Sequence, residues 1–202
     1  MAQQATIITI GAAIAVAATI GILALSSTAP AITNGNVPPG TEKERIVLSG
    51  SYPDYQNVTW LVGNSSSIVT GETLGVKSEV DDALVPITDY DFQVNNVIKG
   101  NLKSGDVITI RQTGIETKTK IAELADDPLL KKGEQVVGFL RYSEDHDVYI
   151  FLGGPQGRFV IQNGAVNSLD KIVPEAEWLT IRADNQDLNQ FVESIKTQAG
   201  LK

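Results

Sequence analysis

Residues 87–100, ITDYDFQVNNVIKG, decide how this chain folds. Tyr90, Phe92 and Val94 occupy every second position, and polar side chains fill the positions between them. This period of two predicts a half-buried β-strand, because successive side chains of a strand point to opposite faces of its sheet. The segment is therefore expected to place its aromatic face on a core and its acidic face in water.

Further short strands are predicted after and before this segment. They are β-branched or apolar runs bounded by turn residues, and Asn163-Gly164 is a two-residue hairpin signal. The predicted strands are residues 67–75, 107–111, 135–140, 148–152, 158–162 and 165–166. Gly71 predicts a bulge in the first of them. Residues 113–132 are polar, contain Pro128 and predict a long loop with at most one helical turn.

One amphipathic helix is predicted near the C-terminus, over residues 185–199. Its apolar positions follow the i, i+3, i+4, i+7 pattern of a helix face. They are Leu188, Phe191, Val192 and Ile195. Asp184 or Asn185 is the predicted N-cap, and Gly200 is expected to end the helix.

These elements predict a mainly β fold. About five short antiparallel strands favour a small OB-like barrel over residues 46–202, because closing a sheet removes its exposed edges. The C-terminal helix would pack on this barrel. A β-sandwich is the alternative.

The charge pattern separates the beginning of the chain from the rest. The 202 residues include 16 Lys+Arg and 24 Asp+Glu, a net charge of -8, and no charged side chain precedes Glu42. An acidic domain repels phosphate backbones, so nucleic acid is not an expected partner. The chain has no Cys, which excludes disulfides, a thiolate metal site and a cysteine nucleophile.

Residues 5–25, ATIITIGAAIAVAATIGILAL, are uncharged and long enough to cross a hydrocarbon core of about 30 Å as a helix. Residues 1–25 are thus predicted to be a hydrophobic transmembrane anchor. The alternative is a signal segment cut after Ala31, which would leave a secreted domain. Residues 26–45, rich in Pro, Gly and Ser, predict a tether. The protein is expected at the cell membrane, crossing it once with its domain outside the cytoplasm.

Three segments carry a resemblance to a known family: residues 90–100 (YDFQVNNVIKG), 130–134 (LKKGE) and 153–159 (GGPQGRF). In this order they resemble a set of exported prokaryotic proteins with a netrin-like OB β-barrel, the fold of the tissue inhibitors of metalloproteinases. The resemblance covers roughly residues 66–166 and implies an OB barrel. Those inhibitors present an amino-terminal Cys to the protease zinc. This chain has no Cys, so inhibition by that route is not implied.

One glycine-rich loop is the predicted ligand-binding site. Its candidate residues are Gly153, Gly154, Gln156, Gly157 and Arg158. Backbone N–H groups of such a loop can hold an anion, and the Arg158 guanidinium would add charge. The loop lacks the phosphate-loop and dinucleotide patterns, which need a following helix. A turn that lets the chain cross the end of the barrel is the alternative.

Other candidate residues carry weaker signals. His146 is the sole histidine and lies in a charged turn, whose four consecutive residues cannot all converge on one zinc. Four carboxylates near the clearest strand lack the spacing of a calcium loop and predict a solvated face. These are Asp81, Asp82, Asp89 and Asp91. No metal, cofactor or catalytic residue is predicted, because one His and no Cys give nucleophilic catalysis little support.

Surface features complete the prediction. Asn57 and Asn64 begin Asn-x-Ser/Thr sequons and are candidate glycosylation sites of an exported glycoprotein. Trp60 and Trp178 are either core anchors or contact residues.

The sequence predicts a non-catalytic binding or structural module that is tethered to the membrane and contacts another envelope or extracellular component. One alternative is a subunit of an extracellular filament that self-assembles through its apolar helix. Another is a hydrolase that uses His146 or the region of Asp89 and Asp91.

Overall fold

The structure is a computed structural model that describes residues 43–53, 58–82, 84–169 and 185–200. Within these ranges the chain forms ten strands, two α-helices and one 3-10 turn. The strands are β1 (Glu44–Leu48), β2 (Ser67–Val80), β3 (Ile87–Lys99), β4 (Val107–Glu116), β5 (Lys120–Leu124), β6 (Gln135–Ser143), β7 (Val148–Phe151), β8 (Arg158–Gln162), β9 (Ala165–Ser168) and β10 (Gln186–Asp187). The helices are α1 (Val58–Asn64) and α2 (Leu188–Ala199), and the 3-10 turn is Gly154–Gly157.

The mainly β prediction and the C-terminal helix are confirmed. In β3, Tyr90, Phe92 and Val94 are buried, whereas Gln93 is exposed. β3 is hydrogen-bonded to β2 on one side and to β4 on the other, both antiparallel. The period-two pattern thus identified both the strand and the face that it buries.

The strands pair in the order β1-β5-β4-β3-β2-β6-β8-β9-β10. β7 lies off this path and pairs antiparallel with β6 and parallel with β4, the latter through Ile110 and Tyr149. β1 pairs with β5 in parallel. Pairing is therefore local for the hairpins and long-range where β1 meets β5, β2 meets β6 and β7 meets β4.

Two predicted turn features are confirmed. The β2/β3 register shifts between Thr70 and Gly71, and a Cβ on Gly71 would lie 2.3 Å from the Gln93 carbonyl oxygen. Asn163 and Gly164 connect β8 to β9 with positive φ angles of 53° and 77°. The bulge needs glycine because the backbone at Gly71 is crowded, and the hairpin turn needs asparagine and glycine because its φ angles are positive.

The prediction of one long loop over residues 113–132 is wrong. β4 continues to Glu116, and after a tight turn β5 pairs back with it, with Ile115 opposite Ala122. In β5 the buried positions are filled by Ala122 and Leu124, a short pattern that polar neighbours conceal. β1 and α1 were not predicted, and β1 begins within the last two residues of the predicted tether.

α2 is confirmed, but its N-cap is Asp187 rather than Asp184 or Asn185. The Asp187 carboxylate accepts hydrogen bonds from the backbone N–H groups of Asn189 and Gln190 at 2.9 and 3.1 Å. Asn185 precedes the short β10, and Asp184 lies outside the described residues. Gly200 ends the helix with a φ of 63°, as predicted.

The core has two parts. One packs both helices on the sheet, and the other fills the concave side of β2, β3, β4, β6 and β7. The first comprises Leu61, Val62, Ile68, Ile98, Val137, Phe139, Leu152, Phe159, Val166, Phe191, Val192 and Ile195. The second comprises Val69, Tyr90, Phe92, Val94, Ile108, Ile110, Leu130, Val136, Leu140 and Phe151.

The strand pairings define two ends of the sheet that matter below. At the entry end, where the described chain begins at Lys43, β2 and β4 finish and β1, β3 and β5 start. At the far end, β3 and β6 finish and β4 and β7 start. In the part of the chain that the structure describes, no helix is long and apolar enough to span a membrane. Residues 5–25 and most of the tether lie outside that part.

Candidate functional site

The predicted ligand loop is buried between β7 and β8. Gly153 and Gly154 adopt left-handed φ angles of 69° and 59°, and Gly154–Gly157 form the 3-10 turn. A Cβ on Gly154 would lie 2.3 Å from the Tyr52 ring. Glycine is therefore needed here both for the backbone angle and for the close approach of Tyr52.

The Arg158 guanidinium points into the fold. Arg158 is 1% exposed, and its Nη1 lies 3.2 Å from Asp127 Oδ1 while its Nη2 donates to Glu134. Nη1 also donates to the Pro128 carbonyl, and the guanidinium carbon lies 5.8 Å from the centre of the Phe151 ring. Two carboxylates thus neutralise a cation that would be very costly to bury alone.

Asp127 is the centre of this buried cluster. Its carboxylate accepts from Gln112 Nε2 at 3.2 Å and from the Tyr52 hydroxyl at 3.4 Å. Gln112 Oε1 in turn accepts from the Leu130 N–H at 2.8 Å. The cluster therefore joins the segment before α1, strand β4, the β5–β6 connection and strand β8.

Burial raises the pKa of Asp127 to about 6, although the neighbouring Arg158 acts in the opposite direction. Burial also raises the pKa of Tyr52, and Asp127 adds to that effect. Both shifts have the same physical origin, because removing water disfavours the charged form of an acid.

This pKa gives a pH prediction. Because the folded-state pKa of Asp127 lies above the unfolded value of about 3.9, folding favours the protonated acid. The free energy of unfolding is expected to be higher in wild type than in Asp127→Asn. We expect this difference to be fully present below about pH 4 and to be lost as the pH rises through 6. Urea unfolding of both proteins at pH 4.5 and 7.5 measures this difference, and a difference that grows with pH would contradict it.

The structure brings the predicted loop residues together and gives most of their side-chain polar groups partners within the fold, whereas Arg158 Nε is buried without a hydrogen-bond partner. Gln156 Nε2 donates to the Pro53 carbonyl at 3.2 Å, Tyr52 covers Gly154, and Asp127 and Glu134 pair with Arg158. A ligand-binding role for this loop stays a prediction. In the described chain, the same residues already hold β8 against the β5–β6 connection.

The four carboxylates singled out by sequence are spread along one side of the sheet. Arg111 binds both oxygens of Asp89 at 2.7 and 2.9 Å, and these hydrogen bonds hold the pKa of Asp89 below its usual value. Asp81 pairs with Lys120 at 2.7 Å. Asp91 lies 4.0 Å from Lys77, and Asp82 accepts from the Leu84 N–H. Among the described residues, no group of three or more His, Asp or Glu side chains could hold a metal ion.

The remaining predicted residues lie on exposed segments or outside the described ranges. His146 is exposed in the turn between β6 and β7. Asn64 is exposed at the end of α1, where its amide donates to the Trp60 carbonyl, and Trp60 itself is 57% exposed. Asn57 and Trp178 are not among the described residues, so the sequon at Asn57 and the role of Trp178 stay predictions.

Sequence reasoning missed a pair of tyrosines at the far end. Tyr142 on β6 and Tyr149 on β7 are directly opposite each other, and their ring centres are 5.1 Å apart. Tyr142 is 39% exposed and donates to Asp147 Oδ1 at 2.7 Å. We call these two residues the tyrosine pair. The sequence did offer a signal, because the two tyrosines flank the charged turn of residues 143–147.

Three exposed aliphatic residues lie at or near the entry end. Val76 and Val80 of β2 are 55% and 54% exposed, and Leu84 in the β2–β3 connection is 71% exposed. Val76 also lines an open groove with Tyr90 and Lys43. The far end presents the tyrosine pair and Val107, which is 55% exposed at the start of β4, whereas the entry end presents Val80 and Leu84.

Comparison with known proteins gives no assignment. No protein-family model matches the chain, and no curated protein is significantly similar to it in sequence. The functional argument therefore rests on the surfaces just described.

Proposed function

We propose that the protein is a non-catalytic binding module outside the cytoplasm, held at the membrane by residues 5–25. The tyrosine pair would contact another envelope component. The observation that carries this proposal is the position of Tyr142 and Tyr149 at the far end, opposite the end where the chain enters at Lys43. Tyrosine suits an interface because its ring gives a large contact with few rotatable bonds, and its hydroxyl can still bind a polar partner.

The tyrosine pair is also held in place before any partner arrives. Tyr142 is fixed by its hydroxyl bond to Asp147, and its backbone N–H donates to the Ser66 hydroxyl at 2.9 Å. Tyr149 packs partly against the second core cluster. Such a surface loses little side-chain freedom on binding, which favours affinity.

The proposal includes a closed OB-like barrel of the netrin-like kind. What supports it is a ring of pairings: β2 with β3, β3 with β4, β4 with β7, β7 with β6, and β6 with β2. The β4–β7 contact is parallel and the others are antiparallel. α2 packs on the outside of this ring through Phe191 and Ile195.

The proposal of a non-catalytic role rests on the chemistry of the titratable groups. His146, the sole histidine, lies in an exposed turn, and the buried cluster around Arg158 pairs its charges with one another. A general base needs a substrate within hydrogen-bond reach, and the Asp127 carboxylate instead accepts from Tyr52 and pairs with Arg158, as Glu134 does.

Site-specific cross-linking tests the proposed contact. Because the chain has no Cys, Tyr142→Cys supplies a single thiol for a photoreactive maleimide in the full-length protein in its native membrane. We expect one discrete adduct with another envelope component, at least five times stronger than from the control Gln162→Cys. Gln162 is exposed at the end of β8.

Equal adducts from both positions, or none from residue 142 while the chain stays in the membrane, would contradict the proposed contact. An adduct whose mass is that of two copies of this chain would favour self-assembly over a different partner.

A further inference from the structure

We propose that the entry end of the sheet rests on the lipid bilayer, with Leu84 and Val80 in contact with the headgroup boundary. This inference rests on the proposed function, since residues 5–25 would bring the bilayer to the domain. Besides the tether, it gives the domain a defined orientation on the bilayer and a second contact with it.

The entry end is a single surface. The Glu44 N–H donates to the Thr119 carbonyl at 2.8 Å, so the start of β1 lies beside the β4–β5 turn. Lys120 at the start of β5 pairs with Asp81 in the β2–β3 connection at 2.7 Å. The point where the chain enters and the connection that carries Leu84 are therefore held together by described contacts.

Leu84 and Val80 are the exposed aliphatic residues of this surface. Leu84 is the most exposed of the large hydrophobic residues in the described part of the chain, at 71%, and Val80 is 54% exposed four residues earlier. The Leu84 N–H donates to Asp82 Oδ1 at 2.7 Å. Aliphatic side chains lower their free energy when they leave water for the boundary between headgroups and acyl chains.

The length of the preceding chain brings the bilayer within reach. Residues 26–42 are 17 residues that separate the predicted anchor from Lys43. A chain of that length reaches at most about 53 Å when it is extended as polyproline II. The tether would therefore keep the entry end at a high effective concentration near the membrane, whereas the far end would contact the membrane rarely.

Charge indicates which kind of membrane surface fits. The entry end carries more acidic than basic side chains. The acidic ones are Glu44, Glu79, Asp81, Asp82 and Glu116, and the basic ones are Lys43, Arg45, Lys118 and Lys120. A polybasic surface is attracted to anionic lipids, but the acidic entry end is not. The contact is therefore with neutral headgroups and depends on the aliphatic residues.

Depth-dependent quenching tests this orientation. The full-length chain with Leu84→Cys, labelled with an environment-sensitive fluorophore, is reconstituted in phosphatidylcholine vesicles with and without spin-labelled lipid. The matched control is Asn101→Cys, which is exposed just beyond the other end of β3. β3 has 13 residues, so the two labels are separated by about 40 Å of strand.

We expect quenching at residue 84 to exceed quenching at residue 101 at least threefold, and to stay equal or fall when phosphatidylglycerol is added. Equal quenching at both positions, or quenching that requires the anionic lipid, would overturn the inference. Shielding of residue 84 in lipid-free detergent that rises with protein concentration would also overturn it, in favour of a second copy.

Vesicle flotation separates this inference from the function on which it rests. A chain that does not float with the vesicles removes the proposed tether. A chain that floats while residue 84 stays unquenched leaves the tether intact and removes only the docked orientation.

Discussion

Replacing Arg158 with Met is expected to lower the free energy of unfolding by about 3–5 kcal/mol. The substitution keeps much of the side-chain volume but removes the cation that pairs with Asp127 and Glu134. Both carboxylates would then be left in a site from which water is excluded, and this uncompensated charge is the source of the cost. Urea unfolding followed by far-UV circular dichroism measures the change.

Arg141→Met is the matched control, because Arg141 is only half-buried on β6 and forms no ion pair with the described residues. We expect it to change stability by less than about 1 kcal/mol. If Arg158→Met fails to fold, adding Asp127→Asn and Glu134→Gln is expected to restore a cooperative transition, because the unpaired charges are then removed. Equal stabilities for the two Arg variants would show that the buried cluster does not stabilise the packing of β8 against the β5–β6 connection.

Replacing Phe191 with Ala is expected to cost about 3–5 kcal/mol, the usual range for deleting a buried aromatic side chain. Phe191 is fully buried, and its ring centre lies 4.9 Å from that of Phe159 on β8. The substitution opens a cavity where α2 meets the sheet. The same urea titration measures the loss.

The neighbouring Gln190→Ala is the control on the same helix, because Gln190 is exposed and alanine favours a helix. Its expected effect is within about 0.5 kcal/mol. A loss below about 1 kcal/mol for Phe191→Ala would mean that α2 does not close the core as described.

The parts of the fold that were predictable have strong local patterns. The alternation around Tyr90 and Phe92 identified β3, and the Asn163-Gly164 signal identified the β8–β9 hairpin. β5 was missed because its buried positions are the small Ala122 and the single Leu124, and its pairing with β4 depends on a turn of polar residues. The cap of α2 was misplaced because several polar residues precede the helix, and only the backbone geometry selects Asp187.

The candidate sites show a different limit of sequence reasoning. The glycines before Arg158 indicated a special backbone correctly, but their neighbour in space is Tyr52, which is about a hundred positions away in the chain. The pairing of Arg158 with Asp127 is likewise a long-range contact. The tyrosine pair needed the β6–β7 register to become visible, because neither tyrosine is unusual on its own.

Intact-mass analysis with membrane fractionation of the natively expressed protein tests whether residues 5–25 hold the domain at the membrane. We expect a chain that keeps residues 5–25, sediments with membranes and leaves them only in detergent. A shorter chain beginning at Ile32 in the soluble exported fraction would contradict the tether and the docked orientation together. Release from the membrane as large polymers would contradict the single tethered module and favour the filament.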